Sequence, residues 1–134
     1  MTMYATANLQ DRYKQDYVST ASPIDLVIML YDGCVKQMKL AKIHLEDGNK
    51  SNYLESMEKA EDIILELIRS LNLKIEMSND LLDLYQFMVN ELVSITFSEE
   101  IERIDPIIKM MSELRESWVA AKASLGSAYH TEDG

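Results

Sequence analysis

The chain has little that would interrupt a helix: two prolines and four glycines in 134 residues. It also has one cysteine, Cys34, so no intrachain disulfide can form, and a disulfide-stapled scaffold is excluded. Histidine is scarce too, at two residues. A di-iron bundle needs Glu-x-x-His on facing helices. Here Ala41 stands three residues before His44, and Ser127 three before His130. No glycine-rich phosphate loop is present, and Asp32-Gly33 falls inside a helical pattern. Lysine and arginine number 13 against 23 acids, a net charge of −10. That balance argues against nucleic acid or an anionic membrane as the main partner, because phosphate rewards cations. No apolar run is long enough for stable membrane insertion, and residues 1–18 lack the apolar core of a signal peptide. The expectation is a soluble cytoplasmic protein without metal, cofactor or catalytic site.

What the sequence does have is hydrophobic residues, 47% of the total, arranged at helical spacing. The densest stretch comes after Ser22. Ser22 can cap, Pro23 suits a first helical position, and Asp25 sits where a capping-box carboxylate belongs. Val27, Leu30, Tyr31, Cys34, Met38, Ala41 and Leu45 then form one stripe facing a core. Ile24, Ile28 and Val35 form a second stripe, and Leu26, Met29 and Leu40 a third. A helix apolar nearly all round is either enclosed by its own chain or shared with a partner. Cys34 on such a stripe reads as a packed, inert thiol. Gly33 marks either the close approach of a neighbouring helix or room for a partner's side chain.

The run Glu46-Asp47-Gly48-Asn49 is a stop signal, and Ser51 or Asn52 can cap a second helix. This second helix carries Tyr53, Met57, Ala60, Ile64, Leu67 and Leu71 on its core face, with an acidic opposite side that reads as solvated. After a connector over 72–76, Ser78 or Asn79 caps a third helix with Leu81, Leu84 or Tyr85, Met88, Leu92 and Ile95 inward. The last helix has two possible starts. Ser98 as cap leaves Pro106 in the interior; Asp105 as cap puts Pro106 first, with a short turn or a kink before it. Its stripe is Ile107 or Ile108, Met111, Leu114, Trp118 and Ala121. The predicted fold is all-α, an antiparallel up-and-down four-helix bundle with a short N-terminal segment or helix packed as a cap. Helices are expected over about 22–46, 51–71, 78–97 and from 99 or 106 to 123, with a cap segment 1–21 and a disordered tail 124–134. Leu9, Tyr13 and Tyr17, at helical spacing, are the candidate cap residues.

Spacing alone points to a non-enzymatic helical binding module. The junction goes further. Tyr13-Lys14-Gln15-Asp16-Tyr17-Val18-Ser19-Thr20-Ala21-Ser22-Pro23, then Leu26 and Met29-Leu30-Tyr31-Asp32-Gly33, resembles the signature of the flagellin export chaperones, the FliS family. Lys59-Ala60 through Ile63-Ile64 to Leu67, Leu84-Tyr85 with Met88, and Leu114-Arg115-Glu116-Ser117-Trp118 are similar to later blocks of the same family. Asp16, Ile95-Thr96 and Pro106 depart from its pattern.

The resemblance implies a bacterial chaperone that binds the disordered C-terminal segment of flagellin. It implies that premature polymerisation is thereby prevented and the subunit delivered to the flagellar export gate, with other flagellar regulators as further partners. Spare apolar positions are the natural docking residues for such a segment. They are Ile24, Ile28, Tyr31 and Val35 on the first long helix, and Leu54, Leu65 and Ile68 on the second. The alternative is a structural or regulatory bundle whose extra apolar faces make a homodimer.

Overall fold

The structure, a computed structural model, describes residues 23–133, with side chains to residue 124. The expected cap Ser22 and the whole cap segment, with Leu9, Tyr13 and Tyr17, lie outside the described residues. Among the described residues four helices occur in order: α1 Pro23–Glu46, α2 Lys50–Arg69, α3 Glu76–Ser98 and α4 Ile104–Asp133. A single 3-10 turn, Ile101–Arg103, precedes α4, and the described residues contain no strand.

The caps differ from the sequence reading in instructive ways. Asn49, not Ser51 or Asn52, caps α2: its side-chain oxygen accepts from the Asn52 amide at 3.1 Å. Gly48, at φ 73°, makes the left-handed turn just before it. α3 starts at Glu76, two residues ahead of Ser78, without a side-chain cap on Ile75. The connector supplies its own turn chemistry, since the Asn72 side chain accepts from the Lys74 amide at 3.1 Å. Ser98 ends α3 and does not start the next helix; Glu99 takes a left-handed conformation, φ 60°, with its amide on the Ile95 carbonyl.

The expected short turn before Asp105 is the 3-10 turn. α4 then begins at Ile104, so Pro106 falls in the first turn, where no intrahelical N–H bond is required. At its other end α4 continues helical to Asp133, through the stretch expected to be a tail. No proline stops it there, and Gly126 costs only about 1 kcal/mol against alanine.

The inward stripes are those that the spacing predicts. Tyr31, Cys34, Met38 and Ala41 of α1 are fully enclosed, as are Tyr53, Met57, Ala60 and Ile64 of α2. Tyr85, Met88, Leu92 and Ile95 complete the core from α3, and Ile104, Ile107 and Met111 from α4. α1 lies between α2 and α4, and α3 packs against α2, meets α1 through Tyr85 and approaches α4 only sparingly. On one flank of α1, the Cys34 thiol donates to the Ala60 carbonyl at 3.7 Å, and a Cβ on Gly33 would meet Ile63 Cδ1 at 3.4 Å. That is ordinary contact with the end of a flexible side chain, so α2 faces Gly33 without an approach that requires glycine.

The other flank of α1 carries three ion pairs to α4: Asp25 with Lys122, Asp32 with Arg115, and Lys42 with Asp105. Steps of seven and ten residues along α1 are matched by seven and ten back along α4, which fixes the antiparallel register. In the centre, Trp118 Nε1 donates to the Tyr31 hydroxyl at 2.6 Å, and that hydroxyl also bonds the Tyr85 hydroxyl. Three helices therefore meet at one oxygen. Tyr31→Phe leaves the indole N–H and the Tyr85 hydroxyl without this partner and should cost about 1–3 kcal/mol in urea denaturation. A loss under about 0.5 kcal/mol, within the range of an ordinary surface substitution, would show that the node contributes little.

Candidate functional site

Glu61 locates the outer seam between α2 and α3. Its carboxyl lies 3.5 Å from the Thr96 hydroxyl of α3, and Tyr53 donates to the Ile95 carbonyl at 2.9 Å nearby. Leu54, Leu65 and Ile68 stand seven before, four after and seven after Glu61, so helical spacing puts them on the same flank. On α3, Val89 and Val93 precede Thr96 by seven and three, and Phe97 comes four after Val93. The result is an apolar strip shared by two helices and open to solvent. Leu54 is 42% exposed, Leu65 40%, Val93 42% and Phe97 82%. Ile68 and Val89 form its floor against the core.

The sequence-predicted docking residues do not come together in one groove. Leu54, Leu65 and Ile68 share the α2–α3 strip. Ile24, Ile28 and Val35 lie on the α1 flank that carries Asp25, Asp32 and Lys42, so they front α4 and are half-buried. Tyr31 is a correction: it is enclosed, its hydroxyl is occupied by Trp118 and Tyr85, and it is a core residue. Val93 and Phe97 belong to the strip and are not among the residues expected from the sequence. Their signal was an i, i+4 apolar pair beside the core stripe of α3, which spacing alone does not separate from core filling.

A second apolar feature lies where the α2–α3 connector meets the start of α1 and the C-terminal half of α4. A cavity of about 300 Å³ opens there, lined by Val27, Leu67, Leu71, Leu81, Tyr85 and Trp118 among others. Leu73, Ile75 and Met77 of the connector region are more than half exposed beside it.

Neither feature has the makings of a reaction centre. Cys34 is enclosed in apolar surroundings, and burial pushes its thiol up to about 12. Among the described residues, no group of three His, Cys, Asp or Glu is placed to hold a metal ion. Nor is any helix among them long and apolar enough to cross a membrane.

Comparison with known proteins decides the family. The family described as "Flagellar protein FliS" matches residues 5–125. This chain belongs to the FliS family. It is 31% identical to the flagellar secretion chaperone FliS of Bacillus subtilis (strain 168) over 97% of this chain and 98% of the relative. It is 29% identical to the protein of the same name from Escherichia coli (strain K12), over 75% of this chain and 76% of the relative. A solved structure titled "Crystal structure of flagellar chaperone from bacteria" shares the fold, with a TM-score of 0.73 at 24% identity. The match covers 89% of this chain and 98% of that one. FliS proteins are chaperones of flagellar secretion, not an enzyme family.

One group in the strip of this FliS-family chain titrates unusually. Burial, with Asp62 and Glu58 adding repulsion, pushes the Glu61 carboxyl up to about 7, against 4.5 for an ordinary glutamate. The folded state thus holds a proton that the unfolded chain releases earlier. Stability from this group is complete below about 4.5 and is lost as the pH rises through about 7. Glu61→Gln should therefore leave stability unchanged near pH 4 and raise it by about 1 kcal/mol at pH 8, after discounting for solvent screening. Denaturant unfolding of both proteins at the two pH values is the check.

Proposed function

We propose that this chain is a cytoplasmic export chaperone for flagellin. It binds the disordered C-terminal segment of the subunit, keeps it from polymerising early and delivers it to the flagellar type III export apparatus. The observation that carries this reading is the open α2–α3 strip on a member of a secretion-chaperone family. An apolar row at helical spacing, without catalytic groups, suits a client segment that folds as it binds. Leu54, Leu65, Val93 and Phe97 supply the contacts, with Ile68 and Val89 as floor. The seam of Ile24, Ile28 and Val35 beside α4 is a second, narrower strip along which a long segment can continue.

The ordering cost of a disordered client must be offset by buried apolar area, and that predicts a thermodynamic signature. Calorimetric titration of the full chain with flagellin monomer should give a clearly negative heat-capacity change. Affinity should weaken only modestly in raised salt. Val93→Asp should weaken binding by more than tenfold while leaving the melting temperature within a few degrees, because Val93 lies outside the enclosed core. Light scattering on the free protein tests the homodimer alternative. A stable dimer dissociated by Phe97→Ser would assign the strip to self-association and overturn the chaperone reading.

A further inference from the structure

Glu61 is an oddity in an apolar row: a carboxylate with Leu54 behind it and Leu65 and Ile68 ahead on the same flank. The cations on its own helix are engaged elsewhere. Lys59 pairs with Glu55 at 3.1 Å, Arg69 with Glu66 at 2.9 Å, and Lys50 with Glu99 at 2.9 Å. No ion pair among the described residues includes Glu61.

The Thr96 hydroxyl serves it only in part. That group has one proton, and it donates to the Leu92 carbonyl at 2.7 Å; the 3.5 Å approach to Glu61 is at the limit of a hydrogen bond. The Thr96 hydroxyl can turn its proton to Glu61 only by releasing the Leu92 carbonyl, so it is a weak partner for the carboxylate. The other polar neighbours are acids or a phenol: Glu58 and Asp62 on α2, and Tyr53, which Glu99 after the end of α3 also faces. Among the described residues, an ionised Glu61 thus has a long, shared hydroxyl contact and no cation as a partner. Its surroundings complement a positive charge.

We infer that the segment held in the α2–α3 strip sets a lysine or arginine against Glu61, amid apolar residues that cover Leu54, Leu65, Val93 and Phe97. This rests on the chaperone reading for the identity of the segment, and it adds a requirement on that segment's chemistry. A cation at this position turns an apolar row into a register mark. Segments that slide by one helical turn leave the carboxylate buried and unpaired, which is strongly disfavoured.

The sign of the pH dependence tests it. A partner that brings a cation makes Glu61 release its proton on binding, so affinity rises with pH. A purely apolar cover buries the carboxyl further and makes it take a proton up, so affinity falls. Flagellin monomer is titrated into the full chain and into Glu61→Gln at pH 6 and pH 8, and the difference between the two proteins is read, because flagellin titrates as well. The expected result is up to about tenfold tighter binding by the parent at pH 8 than at pH 6. Glu61→Gln should lack that gain and bind more weakly at pH 8, and Glu61→Lys should bind more than tenfold more weakly still. Parent binding that is intact but equal in Glu61→Gln at both pH values, or that tightens toward pH 6, overturns the cation and leaves the chaperone reading standing. No flagellin binding by the parent at either pH overturns both.

Discussion

A buried hydroxyl needs partners, and in this bundle a single one, on Tyr31, ties three helices together. Tyr31 comes from the middle of α1, accepts from the Trp118 indole of α4 and shares a hydrogen bond with Tyr85 of α3. Burial keeps both phenols neutral by pushing their ionisation upward. The rest of the packing is arranged around that point. α1 is flanked by α2 through Gly33, Cys34 and Ala60, and by α4 through three ion pairs in fixed register. Arg103 then holds the turn before α4 onto α3, bonding Glu91 at 3.1 Å and Ser94 at 3.2 Å. The apolar surplus of α1 is therefore largely used by its own chain. The surplus that stays open is on α2 and α3.

This distribution leaves the bundle with an open apolar row. Exposed patches of this kind mark interaction sites and carry an aggregation risk. The net charge of −10 opposes self-association, and the acids of α2 beside the strip, Glu58, Glu61 and Asp62, add local repulsion between copies. The same acids that keep like molecules apart favour a partner bringing positive charge.

Much of the fold was legible in the sequence, and the reasons are specific. The core stripes were readable because period and burial agree: Tyr31, Cys34, Met38 and Ala41 recur at helical steps, and all four are enclosed. Helix ends were less so. Asn49 outcompeted Ser51 and Asn52 as a cap, and Asn72 organised a connector that looked featureless, because cap choice depends on backbone angles that composition does not carry. The grouping of the spare apolar residues was half legible. Leu54, Leu65 and Ile68 belong to one strip, whereas Ile24, Ile28 and Val35 front another helix, and period alone does not reveal which neighbour a spare stripe meets. Tyr31 was placed on both the core and the docking surface, and only its bonds to Trp118 and Tyr85 decide between them.

The central claim is that the α2–α3 strip is open in the free chain and filled by its client. Hydrogen exchange read out by mass spectrometry, on the full chain with and without flagellin monomer, tests this most directly. Slowed exchange on binding should be largest over 54–68 and 89–97, with smaller changes over 24–35. Protection confined to α1 and α4, with α2 and α3 exchanging as in the free protein, would contradict the account.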